Sequence, residues 1–399
     1  MHDQPDPQHD TTEVLIVGGG PAGLAASIAL RQRGIDCTVI DARMPAIDKA
    51  CGEGLMPDSR ESLAQLGVAL TEADGHPFLG IRFANSAHHV DASFPNGAGM
   101  GVRRPHLHTL LTARAEEAGA KLLWNSHVQL SPAASAVPDS SAPDTHRTAL
   151  VNGKPMRYRW LIGADGQAST VRKWAGLDRV RRRNLRFGFR THYQVAPWSE
   201  FVEVHWASGG QLYITPVAPD CVCVVYITSD PKCDRTNILA SFPEVARRLH
   251  GAEEVSQQRG AVTATCKLHR VANDFAALIG DASAAIDAIT GDGLALAFRQ
   301  AAALGEALRQ GDLSRYEARH RQICRTPFLM ARLLLMMDRH DTLRKLALQA
   351  LEGRPAIFNR LLATHVGARH PAAASFDVVA LGVGLLAHAA TSRSRSAAP

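Results

Sequence analysis

The sequence predicts an α/β protein in which a parallel sheet is interleaved with an antiparallel sheet and followed by a helical C-terminal segment. Three observations predict this class. The chain opens with a buried strand, a glycine turn, a helix and a second buried strand. Four strand-like segments follow one another in the middle of the chain, and a strand and a helix return after Phe275.

The opening segments predict a βαβ unit. Glu13–Val17 and Cys37–Asp41 are short apolar runs typical of buried strands, and Pro21–Gly34 has helical spacing closed by a glycine. Such a unit implies parallel strands joined by a right-handed crossover. A parallel sheet is therefore expected to begin near the N-terminus.

The middle of the chain predicts a helix over His106–Gly119, an exposed Pro/Ser/Ala-rich loop over Ser131–Arg147 and a strand over Arg157–Ala164. An antiparallel sheet is then predicted, which would form a wall for a substrate. Its strands are Phe187–Val195, Phe201–Trp206, Gln211–Val217 and Cys221–Thr228.

The return of a strand and a helix after Phe275 indicates that the chain re-enters its first sheet, so that the two domains are discontinuous. The first domain is predicted from residues 13–75, 100–175 and 270–313. The second is predicted from residues 76–99 and 176–269. Helical spacing continues over 314–390, and residues 1–12 and 391–399 are expected to be a disordered start and a flexible tail.

Composition excludes several classes of protein. The 399 residues are 46% hydrophobic and 21% charged, which is typical of a globular chain of two or three domains. Val378–Ala390 is the longest apolar run and is shorter than the ~20 residues that cross a bilayer. The polar start lacks the pattern of a secretion signal, so a cytoplasmic location is expected.

Charge and cysteine content exclude further partners. Seven cysteines without a CxxC or a Cys/His array predict reduced thiols and no metal site. The net charge of +6 comes from widely spread Lys and Arg, which disfavours a nucleic acid partner.

A glycine motif lies directly between the first predicted strand and helix. Gly18 permits a tight turn, Gly20 lets the backbone approach a pyrophosphate, and Gly23 lets the helix pack closely on the strand. Asp41 ends the next strand, where it would accept hydrogen bonds from a ribose. The motif predicts a dinucleotide site without separating FAD from NAD.

Two further motifs lie at strand ends: Gly163-Ala164-Asp165-Gly166, followed by Ser169 and Arg172, and Gly280-Asp281-Ala282. With them, the chain resembles the FAD-dependent monooxygenase superfamily of the p-hydroxybenzoate hydroxylase type, which includes geranylgeranyl reductases and flavin-dependent halogenases, over about residues 13–310. The resemblance implies a Rossmann-like FAD-binding domain of the glutathione reductase type. It also implies FAD as the cofactor, with NADPH or NADH as a transient reductant.

The resemblance assigns cofactor contacts to three charged residues. It places Asp281 on the ribitol and pyrophosphate side of FAD and Asp165 between FAD and the nicotinamide. Arg104 would reach the flavin diphosphate, which its planar fork of donors suits.

The resemblance also places the turn before the last family helix beneath the pyrimidine end of the flavin. After Gly291, the backbone N–H groups of Asp292 and Gly293 would stabilise the negative charge that forms on reduction. Relatives often have a proline before this turn, whereas this chain has Ala288 and Ile289.

Cys51-Gly52-Glu53-Gly54 resembles a segment of geranylgeranyl reductases in which the cysteine lies near the flavin. Cys51 is therefore a candidate catalytic residue, and a small buried cysteine that only packs is an equal alternative. Lys49 is similar to the catalytic lysine of halogenases. The paired-tryptophan motif of those enzymes is absent, which disfavours halogenation.

Trp206, Tyr213 and Pro216 are candidates to line the substrate pocket, with ordinary core packing as the alternative. Six arginines between Arg179 and Arg190 form one dense basic run. The run predicts either a solvated face or a site for an NADPH phosphate, a carrier-protein-bound substrate or an anionic membrane surface. For Val378–Ala390, a core helix is favoured over an interfacial one.

Together these features predict an FAD-dependent oxidoreductase, and specifically a monooxygenase that uses NAD(P)H and O2 to hydroxylate a hydrophobic, aromatic or polyketide-like small molecule. One alternative is a geranylgeranyl reductase-like enzyme that reduces a C=C bond in a lipid or polyketide. A minor alternative is a lipid-binding relative without catalysis. The sequence predicts neither the oligomeric state nor the preference for NADPH or NADH.

Overall fold

The computed structural model describes residues 10–130, 146–207, 209–230, 232–233, 235–370, 372 and 377. The predictions for residues 1–9 and 391–399, for the Val378–Ala390 segment and for most of the Ser131–Arg147 loop lie outside the described residues. Residues 10–12, predicted as part of a disordered start, belong instead to the first strand. Their pairing with the strand over residues 154–163 explains the difference, because it fixes a polar segment that has no apolar signal of its own.

The strands are numbered in chain order. They are β1 (Asp10–Val17), β2 (Cys37–Ile40), β3 (Gly54–Leu55), β4 (His76–Phe78), β5 (Gly80–Ala84), β6 (His89–Ser93), β7 (Gly99–Gly101), β8 (Lys121–Leu123), β9 (Val128–Leu130), β10 (Arg147–Val151), β11 (Lys154–Gly163), β12 (Val180–Gln194), β13 (Phe201–Ala207), β14 (Gly210–Ala218), β15 (Cys221–Thr228), β16 (Glu253–Glu254), β17 (Arg259–Leu268) and β18 (Ala276–Leu278).

The helices are numbered in the same way. They are α1 (Pro21–Arg31), α2 (Pro57–Gln65), α3 (Arg104–Glu117), α4 (Thr170–Trp174), α5 (Pro243–Arg248), α6 (Gly293–Arg309), α7 (Leu313–Arg339), α8 (Asp341–Glu352) and α9 (Pro355–His365). Short 3-10 helices cover Glu72–Asp74, Arg235–Ser241, Gly280–Ala282 and Ala288–Thr290.

The first sheet has seven strands in the order β8-β2-β1-β11-β10-β9, with β18 also paired to β11. The pairs β2–β8, β1–β2, β1–β11 and β11–β18 are parallel, whereas β10 is antiparallel to both β9 and β11. The β11–β18 pairing returns the chain to its first sheet after a long excursion. The carboxyl ends of β1, β2, β11 and β18 therefore meet at one edge, where the glycine motifs lie.

The second sheet has eight strands in the order β16-β12-β15-β14-β13-β5-β6, with β17 paired to β12. It is antiparallel except for the parallel β5–β13 pair. β12 begins at Val180, seven residues before the predicted start at Phe187. Because Arg181–Arg183 are charged, this part of the strand has no apolar run that would predict it. Its pairing with β17 extends the strand to Val180.

The remaining elements complete the enclosure of the space between the sheets. α1 packs on β1 and β2 of the first sheet, α6 packs on α1, and α7, α8 and α9 follow α6. Apolar side chains of α8 and α9, among them Leu348, Leu351, Phe358 and Leu362, form one cluster with side chains of β4, β6 and β13. Among the described residues, no helix has both the length and the apolarity needed to span a membrane.

Candidate active site

A cavity of about 1120 Å³ lies between the carboxyl edge of the first sheet, the second sheet and helices α7–α9. It brings together most of the predicted site residues from distant parts of the sequence. Those that line it are Gly18, Gly20, Asp41, Cys51, Arg104, Asp165, Tyr213, Asp281, Gly291, Asp292 and Gly293. Gly23, Trp206 and Pro216 are not among the residues that line it.

The three glycines of the first motif have separate structural roles. Gly18 has φ +112°, and a Cβ there would lie 2.4 Å from the carbonyl oxygen of Ala164. A Cβ on Gly23 would lie 1.8 Å from the carbonyl oxygen of Gly18, so Gly23 permits the packing of α1 on β1. A Cβ on Gly20 would meet nothing within 4 Å. The open space at Gly20 belongs to the cavity, where the N-terminus of α1 can receive an anion.

Asp41 follows β2 and holds the glycine turn in place. Its Oδ2 accepts a hydrogen bond from the backbone N of Gly19 at 2.8 Å, and its Oδ1 accepts from the backbone N of Arg43 at 2.8 Å. A carboxylate has about four lone-pair positions, so these contacts leave acceptor capacity for ribose hydroxyls.

Arg104 is the first residue of α3. Its backbone N donates to Glu53 Oε1 at 2.9 Å, and its buried side-chain Nε has no hydrogen-bond partner within the described structure. An unpartnered guanidinium donor is costly unless a ligand satisfies it. The arrangement therefore suits an anionic group in the cavity.

The two aspartates from the later motifs, Asp165 and Asp281, already accept hydrogen bonds from other residues of the protein. Asp165 caps α4, because its Oδ2 accepts from the backbone N of Thr170 at 2.7 Å and its Oδ1 accepts from Ser169 Oγ at 2.5 Å. Asp281 Oδ2 accepts from Lys49 Nζ at 3.0 Å, and both side chains are partly exposed. The position predicted for Asp165 between two cofactors stays a prediction.

The turn before α6 is held by polar contacts from two sides. Gly291 has φ +71°, and α6 starts at Gly293 with Asp292 as its N-cap residue. The backbone N of Asp292 donates to Thr290 Oγ1 at 3.4 Å, so Gly293 is better placed than Asp292 to donate to a bound group. Burial raises the pKa of Asp292, although His365 lies 3.4 Å from its carboxylate.

His365, at the end of α9, was missed by the sequence analysis. Its Nε2 lies 3.2 Å from the carbonyl oxygen of Thr290, and its side chain lines the cavity. Asp58 and Arg299 form an ion pair nearby that contributes to the same buried polar cluster. No local motif marks His365, because it lies more than 70 residues beyond the turn that it contacts.

The far end of the cavity is an apolar chamber. Phe83, Val204 and Val225 contribute from the second sheet, and Met337, Leu351 and Leu362 contribute from the C-terminal helices. The polar side chains among them are few, and one of these, the Tyr213 hydroxyl, already donates to Gln211 Oε1 at 2.7 Å. Such a chamber suits a hydrophobic molecule.

Of the three side chains predicted to line a substrate pocket, only Tyr213 does so. Trp206 pairs with Gln211 and lies on the face of the sheet that carries Tyr213, but it is buried beyond the chamber against Phe83, with ring centroids 4.8 Å apart. Pro216 lies three residues after Tyr213 and so points to the opposite face of β14. The core-packing alternative therefore applies to Trp206 and Pro216.

Residues 11–312 match the family model described as an FAD binding domain. The chain belongs to this FAD-binding family. It is 28% identical over 329 residues to a menaquinone reductase of Mycobacterium tuberculosis, with 77% of this chain and 78% of the relative covered. It is 27% identical over 345 residues to a 6-methylpretetramide 4-monooxygenase of Streptomyces rimosus, with 78% and 80% covered.

A solved structure of a geranylgeranyl bacteriochlorophyll reductase-like protein from Thermoplasma acidophilum has a similar fold. Its TM-score is 0.71 at 19% identity, and the alignment covers 91% of this chain and 97% of that one. These findings confirm the predicted resemblance, with FAD as the cofactor of an oxidoreductase.

The residues of this FAD-binding chain fit the cofactor. Gly20 leaves open space at the start of α1, the Arg104 Nε has no partner among the described residues, and α6 starts at the cavity wall. Each of these features favours negative charge in the cavity, as a diphosphate or a reduced flavin would supply. The predicted contacts of individual residues with FAD stay predictions.

Cys51 lines the cavity of the FAD-binding chain on the cofactor side. Its Sγ accepts a hydrogen bond from the backbone N of Glu53 at 3.4 Å, and its side chain is partly exposed. This position is compatible with an active-site thiol.

The basic run lies on β12, and its two described buried members are not solvated. Arg186 Nη1 donates to Asp287 Oδ1 at 2.8 Å, and Arg190 Nη2 donates to Asp48 Oδ1 at 2.5 Å. Both guanidinium groups are almost fully buried. A solvated face and a phosphate or membrane site are therefore excluded for these two residues, since strand alternation turns them inward.

Proposed function

We propose that this FAD-dependent oxidoreductase is a monooxygenase that uses NAD(P)H and O2 to hydroxylate a hydrophobic, aromatic or polyketide-like small molecule. The observation that carries the proposal is that one cavity joins the glycine turn and the start of α6 to an apolar chamber. A relative named 6-methylpretetramide 4-monooxygenase matches over most of both chains, which supports the proposal.

On the cofactor side of the cavity, the side chains and backbone of the protein would bind and orient FAD. Gly20 and Arg104 would hold the diphosphate, Asp41 a ribose and Asp281 the ribitol side of FAD. Bound FAD supplies two-electron transfer from NAD(P)H and the reaction with O2. The N–H of Gly293 and the positive end of the α6 dipole would stabilise negative charge at the flavin without a titrating side chain.

On the substrate side, the protein mainly excludes water. Phe83, Val204 and Val225 cover one side of the chamber, and Met337 and Leu362 cover another. An apolar wall positions a hydrophobic substrate by shape and keeps reactive oxygen species away from bulk water. Since the Tyr213 hydroxyl is already hydrogen-bonded, orientation of the substrate would depend mostly on shape.

The finer organisation belongs to the same proposal. We assign FAD binding to a glutathione reductase-type domain of residues 13–75, 100–175 and 270–313, and substrate binding to residues 76–99 and 176–269. The helices from residue 314 onward would close the chamber. The cytoplasmic location and a weak contact with a membrane surface or a carrier protein stay predictions.

A second candidate function is the reduction of a C=C bond. Cys51 lines the cavity within the segment that resembles geranylgeranyl reductases. Relatives named menaquinone reductase and digeranylgeranylglycerophospholipid reductase also match most of this chain. In this reaction bound FAD would supply a hydride to one carbon, and the thiol at Cys51 would supply the proton that adds to the other carbon.

Oxygen dependence separates the two candidates. We expect a hydrophobic phenol to accelerate NAD(P)H oxidation in air and the product to carry one atom of ¹⁸O from labelled O2. Substrate turnover under strictly anaerobic conditions, with a C=C bond reduced and no label in the product, would reject the monooxygenase in favour of the reductase.

A further inference from the structure

A buried polar cluster lies beside the cofactor side of the cavity. Glu53, Arg190 and His192 are each at most 1% exposed. Glu53 Oε2 lies 2.6 Å from His192 Nε2, and Arg190 Nη1 lies 2.9 Å from His192 Nδ1. The cluster joins the Cys51 turn to β12 and thus connects the cofactor side of the cavity to the second sheet.

The hydrogen bonds determine where the protons lie. A guanidinium has only donors, so His192 Nδ1 accepts from Arg190. The other ring nitrogen, Nε2, then carries the hydrogen and donates to Glu53. Glu53 Oε1 accepts from the backbone N of Arg104 at 2.9 Å, so each of the two Glu53 carboxylate oxygens accepts a hydrogen bond from a donor.

The backbone of Glu53 gives independent evidence for a role of the side chain. Its φ is +60°, in the left-handed region where glycine is favoured, and it stands between Gly52 and Gly54. A glycine at position 53 would satisfy the backbone at lower cost. A strained residue that keeps a fully buried carboxylate indicates that the carboxylate is needed.

A metal ion is the competing interpretation of the cluster. Ligand atoms of Glu53, His192 and Cys223 lie within 4.8 Å of one another, the one such group among the described residues. However, the Arg190 guanidinium lies 3.9 Å from Glu53 Oε1 and already supplies the positive charge. Burial also raises the pKa of the Cys223 thiol, which keeps it protonated. The cluster is therefore better described as an ion-pair network.

We propose that Glu53 is a positioning residue of the FAD site. Its carboxylate fixes the start of α3, and with it Arg104, relative to the Cys51 turn, while His192 anchors that carboxylate to β12. The backbone N of Glu53 donates to Cys51 Sγ at 3.4 Å, so this one residue contacts both the Cys51 thiol and the start of α3. The proposal depends on FAD binding and is independent of which reaction follows.

The test is the FAD affinity of the Glu53→Gln variant. Glutamine offers one acceptor oxygen, whereas both carboxylate oxygens of Glu53 accept from donors, so the hydrogen bond to Arg104 N or the one to His192 must be lost. We expect the dissociation constant for FAD, measured by quenching of flavin fluorescence, to rise at least about tenfold.

The matched control is Glu203→Gln. Glu203 Oε2 lies 2.8 Å from His205 Nε2 in a second buried Glu–His pair, which does not line the cavity. A general loss of folding stability should affect both variants, and a loss of positioning should affect only Glu53→Gln. We expect Glu203→Gln to change FAD affinity less than about twofold.

For the Glu53→Gln variant, three outcomes would overturn the proposal. Unchanged FAD affinity in Glu53→Gln is the first, and equal loss of affinity in both variants is the second. The third is a rise in the melting temperature of the wild-type protein on addition of Zn²⁺ that Glu53→Gln abolishes, since it would identify a metal site.

A second variant covers the case in which Glu53→Gln does not fold. Glu53→Gly relieves the left-handed backbone and removes the carboxylate, and we expect it to fold and to bind FAD at least about tenfold more weakly. Full FAD affinity in Glu53→Gly would equally overturn the proposal. Because no turnover is measured, failure of the proposed reaction leaves these results unaffected.

Discussion

Arg104 and Asp281 carry opposite charges on the cofactor side of the cavity. Arg104→Ala removes a half-buried guanidinium whose buried Nε has no partner among the described residues, and Asp281→Ala removes a carboxylate paired with Lys49. We expect Arg104→Ala to weaken FAD binding by about 1.5 to 3 kcal/mol, through lost charge-assisted hydrogen bonds. Asp281→Ala should fall at the lower end of that range because the side chain is partly exposed.

The measurement is FAD titration of the apoprotein. Arg103→Ala is the control, because Arg103 is exposed and is not among the residues that line the cavity. Equal FAD affinity in wild type, Arg104→Ala and Asp281→Ala would reject both assignments. A larger effect from Arg103→Ala would assign the phosphate contact to Arg103.

Substitution of Cys51 tests whether its thiol takes part in the reaction or only packs. For the C=C reduction, in which the Cys51 thiol supplies a proton, we expect Cys51→Ser and Cys51→Ala to retain FAD and to lose at least about 90% of turnover. For the monooxygenase, which needs no titrating side chain, we expect both variants to keep their turnover. The measurement is steady-state kinetics of flavin-loaded protein with matched flavin content. Full turnover in both variants would show that Cys51 only packs.

At the scale of elements, a buried ion pair holds the turn before α6 to β12. Arg186 Nη1 donates to Asp287 Oδ1 at 2.8 Å, and the same oxygen accepts from the backbone N of Ile289 at 3.1 Å. Burial raises the pKa of Asp287 and Arg186 opposes that effect. The pair therefore fixes the turn only while both members are present.

Removal of one member of the Arg186–Asp287 pair should destabilise the folded protein. We expect Arg186→Met to lower the free energy of unfolding by about 3 to 5 kcal/mol, because it leaves an uncompensated buried carboxylate. Urea denaturation measures the change, and the double variant Arg186→Met/Asp287→Asn should recover part of it. A loss below about 1 kcal/mol in the single variant would contradict a structural role of the pair.

Helix α7 supports the Asp281 turn through His320. Its Nε2 lies 2.9 Å from Ser283 Oγ, and that hydroxyl donates to the carbonyl oxygen of Gly280. Burial lowers the pKa of His320 to about 4, below the ordinary value near 6.5. The unfolded chain therefore binds the proton first as the pH falls.

The sign of the pH effect follows from that order. The contribution of His320 to stability is complete above about pH 6.5 and is lost as the pH falls toward 4, by on the order of 3 kcal/mol. We expect the difference in the free energy of unfolding between wild type and His320→Gln to decrease as the pH falls from about 6.5 toward 4, as measured by urea denaturation. A difference that is constant with pH would contradict the buried neutral imidazole.

Sequence reasoning located the parts of the site whose signals are local. The glycine turn, Cys51 and the turn at Gly291 each lie within a few consecutive residues, so the motif reveals them. Glu53 and His192 are separated by 139 residues and precede or belong to strands of two different sheets, so only tertiary packing brings them together. The inward direction of Arg186 was likewise missed because a basic run predicts a surface until its strand and partners are known.

At the scale of the whole molecule, the C-terminal helices complete a site that the matched family segment leaves open. The match ends at residue 312, whereas Met337, Leu351 and His365 line the same cavity as the glycine turn. The βαβ pattern and the glycine motifs predict the first sheet. No sequence motif marks the residues that line the apolar chamber. Helical spacing indicated the helices without indicating what they cover.

The central claim is that one cavity holds FAD with its reactive ring next to an apolar chamber. The most direct measurement is titration of the apoprotein with FAD, followed by addition of a hydrophobic phenol, with the flavin absorption bands as the signal. The account predicts one FAD bound per chain and a saturable shift of the bands when the phenol binds. A protein that stays colourless with FAD in excess, or a bound flavin whose bands no hydrophobic ligand perturbs, would contradict it.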